Sequence, residues 1–223
     1  MSLIIRYFGE RDYLDSYREM VEFNDSRHLE TADEIWFLQH QPVYTLGLAG
    51  KTEHLLNPGI IQVVRSDRGG QVTYHGPGQL LAYLLLDLRR SQISIKSLVH
   101  RIEQTVIDML QELKLDGQRR ARAPGVYIDS RKIAALGIRV RNGCSYHGLA
   151  LNVDLDLTPY QGINPCGYPG LEVTRLCDYG IRLSVDEVAL ALQCHLLNNL
   201  GYDPHDVTTI NQVAEAHQLQ AIA

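Results

Sequence analysis

Leu80–Leu86 is an unbroken apolar run of seven residues, Leu-Leu-Ala-Tyr-Leu-Leu-Leu. Successive side chains of a strand point to opposite faces, so a strand made of this run has no face for solvent. The run therefore predicts a strand buried on both sides, in a sheet with other layers packed on it. It is the longest apolar run in the chain, and a membrane helix needs about 20 such residues, so no span is expected. The opening MSLIIRYFGERD has no basic segment followed by a long apolar core, so no export signal is expected either. A length of 223 residues suits one domain. The expectation is a single catalytic domain over 1–223, with 201–223 as a C-terminal extension.

Local patterns place other elements around that strand. Leu3–Tyr7 reads as an opening strand, and Tyr13, Tyr17, Met20 and Val21 recur at helical spacing within 12–27. Glu34–Gln39, Val43–Leu46 and Ile60–Val64 read as strands, and Asp67–Gln79 as a glycine-rich loop. Ser94 caps a helix whose apolar stripe is Ile95, Leu98, Val99, Ile102, Val106, Leu110 and Leu113. Val126–Ile128 and Lys132–Val140 flank a hairpin turn, and Tyr146–Val153 alternates as a further strand. Leu157–Glu172 reads as an ordered loop. Ser184 to Glu187 forms a capping box for a helix that stops at Gly201, and a last short helix is expected within the final twenty residues. Strands and helices are interspersed, which predicts an α/β domain of the α+β type, with a mixed sheet and helices outside it.

Charge is uneven. The net charge of −5 argues against a general nucleic-acid binder, yet residues 118–141 hold seven bases (Arg119, Arg120, Arg122, Arg131, Lys132, Arg139 and Arg141) against one acid, Asp129. Two readings stand: a docking face for an acidic partner, or a solvated hairpin edge whose charge blocks aggregation. The four cysteines, Cys144, Cys166, Cys177 and Cys194, include no CxxC pair and no zinc-type spacing, so no metal site is expected. In a chain without an export signal they read as free thiols of a cytoplasmic protein.

Four segments carry candidate chemistry. Arg68 to Gln79 holds four glycines among Arg, Gln, Thr, Tyr and His, which lets the backbone approach a ligand and surrounds it with polar groups. It ends without Gly-Lys-Ser/Thr and does not match GxGxxG, so it is no nucleotide loop of those kinds. A tight structural turn is the other reading. Lys132 opens the apolar stretch Lys132-Ile133-Ala134-Ala135-Leu136-Gly137. If buried, it serves as a base or a thiolate partner; on a hairpin's solvent side it does neither. Ser145-Tyr146-His147-Gly148-Leu149-Ala150-Leu151-Asn152-Val153 puts a histidine beside glycine, either near a ligand or as a satisfied core group. Cys166 sits between Pro165 and Gly167 in a rigid loop, unlike a cysteine used as a small hydrophobe, and alone of the four has the surroundings of a nucleophile.

RGGQVTYHGPGQ, RKIAALGIRV, SYHGLALNV and INPCGYPG, in this order, together with His40-Gln41-Pro42-Val43-Tyr44-Thr45-Leu46-Gly47, resemble the bacterial lipoyl(octanoyl) transferases from Glu34 to Arg175. The resemblance implies a fold like the biotin and lipoate protein ligase catalytic domains. It implies transfer of an octanoyl group from acyl carrier protein to a lysine of lipoyl domains, in 2-oxoacid dehydrogenases and the glycine cleavage H protein, with no cofactor. Residue by residue, it implies Cys166 as the acyl-thioester nucleophile and Lys132 as the partner that lowers its pKa. It implies substrate contacts from Arg68, Gly69, Gly70, Gln71, Val72, Thr73, Tyr74 and His75, from Ala135, Leu136 and Gly137, and from Gly148, Leu149 and Ala150, with His147 and Asn152 in support. The family often has Ser or a similar small residue where Ala135 stands, which leaves a backbone contact there. Both implied protein partners are typically acidic, which favours the docking reading of the basic stripe. No nucleic-acid or membrane partner is expected, and a monomer is the default. The alternatives are an ATP-dependent lipoate or biotin protein ligase, and a non-catalytic binder of acyl carrier protein that has no need of Cys166.

Overall fold

Residues 2–212 of this computed structural model are described here. Along the chain run β1 (Leu3–Arg11), α1 (Tyr13–Ser26), β2 (Asp33–His40), β3 (Val43–Leu46), β4 (Gln62–Arg65), β5 (Val72–His75), β6 (Gln79–Leu85), α2 (Ile95–Glu112), β7 (Gln118–Arg119), β8 (Val126–Ile128), β9 (Arg131–Arg141), β10 (Cys144–Asn152), α3 (Val185–Leu200) and β11 (Val207–Asn211). Eight strands form one sheet in the order β11-β1-β2-β6-β10-β9-β8-β7, and β4-β3-β5 form a small second sheet. Strand β1 pairs parallel with both β11 and β2, and the strands from β2 through β7 pair antiparallel, so the large sheet is mixed as expected.

The apolar run becomes β6 and is buried on both faces. Leu80, Ala82, Leu84 and Leu86 join the main core under α2 and α3, with Leu98, Ile102 and Val106 from α2 and Val188, Leu192 and Leu196 from α3. Leu81, Tyr83 and Leu85 join the opposite cluster, where Met20 of α1, Trp36 and Tyr146 cover the sheet. The two-residue period of the strand is thus split between two layers, each buried leucine contributing roughly 1.5–3 kcal/mol. The helix starts follow their caps: Ser94 accepts from the Ser97 amide at 3.1 Å, and Ser184 and Glu187 cap each other's backbone. Gly201 ends α3 at φ 82°, a left-handed conformation that glycine takes without a Cβ penalty.

The differences from the sequence reading fall on short elements. The segment 67–79 is not all loop, because Val72–His75 pairs with β3. The strand expected over 60–64 lies at Gln62–Arg65, with Ile60 fully exposed. Strands β7 and β11 carry no signal of their own. Where a final short helix is expected, residues 204–206 make one 3-10 turn and 207–211 pair along β1; the rest of that expectation lies outside the described residues. No described helix is long and apolar enough to cross a membrane.

Candidate active site

Lys132 begins β9 and is sealed on the side away from β8 by the segment after the cysteine loop. Its amide donates to the Glu172 carbonyl at 2.9 Å, and the Thr174 amide donates to its own carbonyl at 2.9 Å. That stitching brings the loop of residue 166 over the start of β9. The turn Pro165–Gly167 is fixed by amides of Gly167 and Tyr168 on the carbonyls of Asn164 and Pro165, at 2.9 and 3.0 Å. Cys166 itself holds φ 56°, a left-handed conformation that costs an L-residue roughly 1–2 kcal/mol. The result is direct contact: Lys132 Nζ donates to Cys166 Sγ at 3.1 Å across 34 residues of sequence. Lys132 is only 5% exposed, which overturns the solvent-facing alternative for this lysine.

The same ammonium donates to the Pro124 carbonyl at 3.1 Å and lies over the Tyr127 ring, 5.2 Å from its centroid. Burial lowers the Lys132 pKa, but the charge and hydrogen bond of Cys166 and the adjoining Tyr127 outweigh it, so the net direction is up. An ammonium donating to sulfur favours the anionic, nucleophilic form of the thiol. The other cysteines lack this. Burial pushes Cys144 and Cys177 up, and Cys194 is exposed on α3.

Cys166 and Lys132 open onto a cavity of about 350 Å³, within the range of about 300–1,000 Å³ usual for small-ligand pockets. Its lining includes Arg68 through Thr73, His75, Ala135 through Gly137, His147 and Gly148 through Ala150. Two expected residues are elsewhere. Tyr74 turns away to pack between Tyr44 and Tyr160. Asn152 lies behind the site, accepting from Gln79 Nε2 at 2.9 Å and donating to the Thr174 carbonyl at 2.9 Å, so it supports the segment that seals Lys132. The glycines act by absence of bulk: a Cβ on Gly148 would lie 2.1 Å from the Ala82 carbonyl oxygen, and one on Gly137 2.9 Å from that of Gly69.

Arg68 is buried, and its hydrogen bonds go to neutral acceptors: Thr45 Oγ1, and the carbonyls of Thr45, Gln71 and Gly69, at 2.6–3.0 Å. It thus fixes the glycine loop and brings to the cavity a charge with no carboxylate partner among the described residues. Burial disfavours the charged form of the nearby histidines. Burial and the charge of Arg68 hold His75 well below its ordinary value. Burial also lowers His147, which donates from Nε2 to Asp67 at 2.9 Å. Burial pushes Asp67 up, but the His147 and Tyr146 hydrogen bonds prevail and hold it at about 2.

Several lining residues escape the sequence reading: Tyr13, Leu81, Tyr83, Ile95, Val99 and Ile138. Ile95 and Val99 belong to the apolar stripe of α2, yet Ile95 is 53% exposed and both face the cavity. The basic stripe also thins out. Arg119 pairs with Glu103, Arg131 with Asp129, Arg139 with Asp67 and Arg141 with Asp25, at 3.1–4.0 Å. Arg120, stacked over Tyr127, and Arg122, at the cavity rim, have no carboxylate partner among the described residues. No cluster of metal-ligating side chains occurs among the described residues.

A buried lysine touches a cysteine at the mouth of a mostly apolar cavity, on a mixed sheet covered by helices. The model of the lipoyl protein ligase A/B catalytic domain matches residues 16–197, and the chain belongs to that family. It is 50% identical to an octanoyltransferase of Vibrio vulnificus, over 96% of this chain and 98% of that one, and 58% identical to an octanoyltransferase of an Azoarcus species, over 89% and 88%. Among solved structures it resembles lipoate-protein ligase A bound with ATP, at a TM-score of 0.79 and 18% identity over 95% of this chain and 89% of that one. It also resembles the biotin protein ligase of Aquifex aeolicus, at 0.54 and 12% over 90% and 69%. These likenesses bear out the expected fold.

Proposed function

We propose that the chain is an octanoyltransferase of lipoate synthesis that takes its acyl group from a carrier-protein thioester and passes it to a lysine of a lipoyl domain. The observation that carries the reading is the 3.1 Å contact between Lys132 Nζ and Cys166 Sγ at the cavity. In the first step the Cys166 thiolate attacks the donor carbonyl, a C–S bond to Cys166 forms as the C–S bond to the carrier breaks, and the departing carrier thiolate takes a proton from solvent. In the second the acceptor's neutral amine attacks the Cys166 thioester, a C–N bond forms as the C–S bond breaks, the amine's proton passes to solvent, and the Cys166 thiolate returns. Exchange of thioesters is nearly balanced and amide formation runs downhill, so no nucleotide is required for energy. The apolar walls, Leu81, Val99 and Leu149 among them, suit the alkyl chain, and Arg68 stands near the charge that develops on the carbonyl oxygen. The acceptors fitting this reading are the lipoyl domains of 2-oxoacid dehydrogenases and the glycine cleavage H protein.

The test is incubation with octanoyl carrier protein in the absence of ATP, followed by mass spectrometry. A hydroxylamine-labile octanoyl group on Cys166 that moves to an added lipoyl domain is the expected result. Transfer that appears only when ATP and free octanoate are supplied identifies a ligase instead.

A further inference from the structure

The contact that activates Cys166 also creates a hazard. Once the acyl group is on Cys166, the nearest amine is not the acceptor's lysine but Lys132, whose Nζ lies 3.1 Å from the sulfur that bears the thioester. At that range a neutral Lys132 holds the advantage of an intramolecular nucleophile, which reaches effective concentrations of about 10⁵–10⁸ M in well-oriented cases. Attack on the thioester carbonyl would form a C–N bond and break the C–S bond. The amine's proton would pass to the departing thiolate, leaving an octanoyl amide on Lys132 and a free Cys166. No co-reactant is needed, and the amide does not revert.

What stands against this is the surroundings of Nζ. Its neighbours are acceptors: Cys166 Sγ, the Pro124 carbonyl and the Tyr127 ring. An ammonium uses all three hydrogens there, and its charge is attracted by the carbonyl and the ring face in a way that a neutral amine is not. Acylation removes one of the three, because a thioester sulfur carries no charge. Burial then works to strip the proton, and Arg68, across the cavity without a carboxylate, adds to that pressure. Facing Lys132 are Cys166 from its loop, Tyr127 from β8 with Arg120 stacked on it, Tyr160 in the small pocket that Lys132 and Cys166 share, and, around the cavity, Arg68, Arg122, Tyr168 and the buried His75 and His147. In the acyl-enzyme, only the Pro124 carbonyl and the Tyr127 ring still hold the cation.

Resting on the acyl-cysteine reading, we propose that Tyr127 and the Pro124 carbonyl form a guard that keeps Lys132 an ammonium in the acyl-enzyme, and that Lys132 is a site of self-acylation when the guard is breached. Tyr127 on this view is a positioning residue that protects the intermediate until an acceptor arrives.

The experiment uses the full chain, a small octanoyl thioester and no acceptor, at pH 7.0 to 9.5, with peptide mapping before and after hydroxylamine. A labile adduct on Cys166 is expected first, then a resistant octanoyl group on Lys132. The latter's rate should rise about tenfold per pH unit while the ammonium predominates. Tyr127→Leu accumulates it about tenfold faster at a given pH, because losing the ring raises the neutral fraction by about that factor. Tyr127→Phe, which keeps the ring, restores the slow rate, and Cys166→Ala shows no modification of Lys132. If Tyr127→Leu does not fold, the pH series of the unaltered protein carries the test. A labile Cys166 adduct with Lys132 unmodified up to pH 9.5 overturns the self-acylation inference alone. Absence of the labile adduct overturns the acyl-cysteine reading and this one with it.

Discussion

Cys166 and Lys132 are useful to each other only because both are constrained. The cysteine is held at φ 56° between Pro165 and Gly167, and the lysine's reach is fixed by its carbonyl partner Pro124 and the Tyr127 ring. Cys166→Ala is therefore expected to abolish octanoyl transfer while the fold remains, as read by turnover and thermal unfolding. Lys132→Ala removes the ammonium from the sulfur. Without that charge beside it the sulfur loses the attraction that favours its reactive anion, so iodoacetamide capture of Cys166 at pH 7 should slow. Capture at an unchanged rate removes Lys132 from activation. Gly148 makes a different kind of demand. Its Cα faces the Ala82 carbonyl so closely that alanine cannot fit without parting β10 from β6. Gly148→Ala should lower the unfolding temperature, by an amount matching the roughly 1–3 kcal/mol typical of overpacking.

The elements differ in how openly the sequence announces them. Strand β6, α2 and α3 were legible because each carries its own burial pattern or cap: an unbroken apolar run, a stripe behind Ser94, and a Ser184–Glu187 box ahead of a glycine stop. Strands β5, β7 and β11 have two to five residues and exist through their partners, so nothing in their local pattern reveals them. The site divides the same way. The glycine loop and Cys166 were legible as odd local chemistry. Burial of Lys132 was not, because its side chain is enclosed by Pro124, Tyr127 and the Cys166 loop, which residues 172–174 hold in place by pairing beside the start of β9, an arrangement no local period encodes; only the family resemblance joined the two residues. Helix α2 shows the limit of a stripe argument: Ile95 and Val99 have the spacing of core residues, but at the start of the helix only Leu98 enters the core, while Ile95 and Val99 lie on the flank that borders the cavity. Val99→Phe should therefore act on the substrate rather than on stability. It is expected to raise KM for an octanoyl thioester several-fold more than for a butanoyl one; equal effects on both would place the alkyl chain elsewhere. Arg120, beside Tyr127 in a neighbouring surface pocket, and Arg122, at the cavity rim, are the remaining candidates for carrier docking. Arg120→Gln should raise KM for octanoyl carrier protein and weaken its salt dependence, leaving a small thioester unaffected.

Over the whole molecule, three buried histidines gather where β1–β3, β5 and β10 meet: His40, His75 and His147. The hydrogen bonds of His40 settle its form. Nδ1–H donates to the Arg11 carbonyl at 3.0 Å, and Nε2 accepts from the Tyr83 hydroxyl at 2.6 Å. Burial drives its pKa down to about 4, against a partial opposing pull from the Arg11 carbonyl. Burial likewise lowers His75 and His147, whereas Asp67 stays ionised down to about 2. The unfolded chain takes up protons near the ordinary histidine value of about 6.5, and the folded chain does not do so until far lower pH. Stability is thus fully present above pH about 6.5 and falls as pH drops toward 4, with His40 alone accounting for about 3 kcal/mol. The carboxylates join only below their ordinary values, near pH 4 for Asp67. Acid unfolding is therefore expected to begin in the histidine range, with the urea midpoint dropping steadily between pH 6.5 and 4.5. His40→Gln should be less stable at pH 7 yet show a shallower decline. A midpoint that stays level to pH 4.5 and falls only in the carboxylate range would mean that the histidine cluster takes up protons without unfolding the sheet around it.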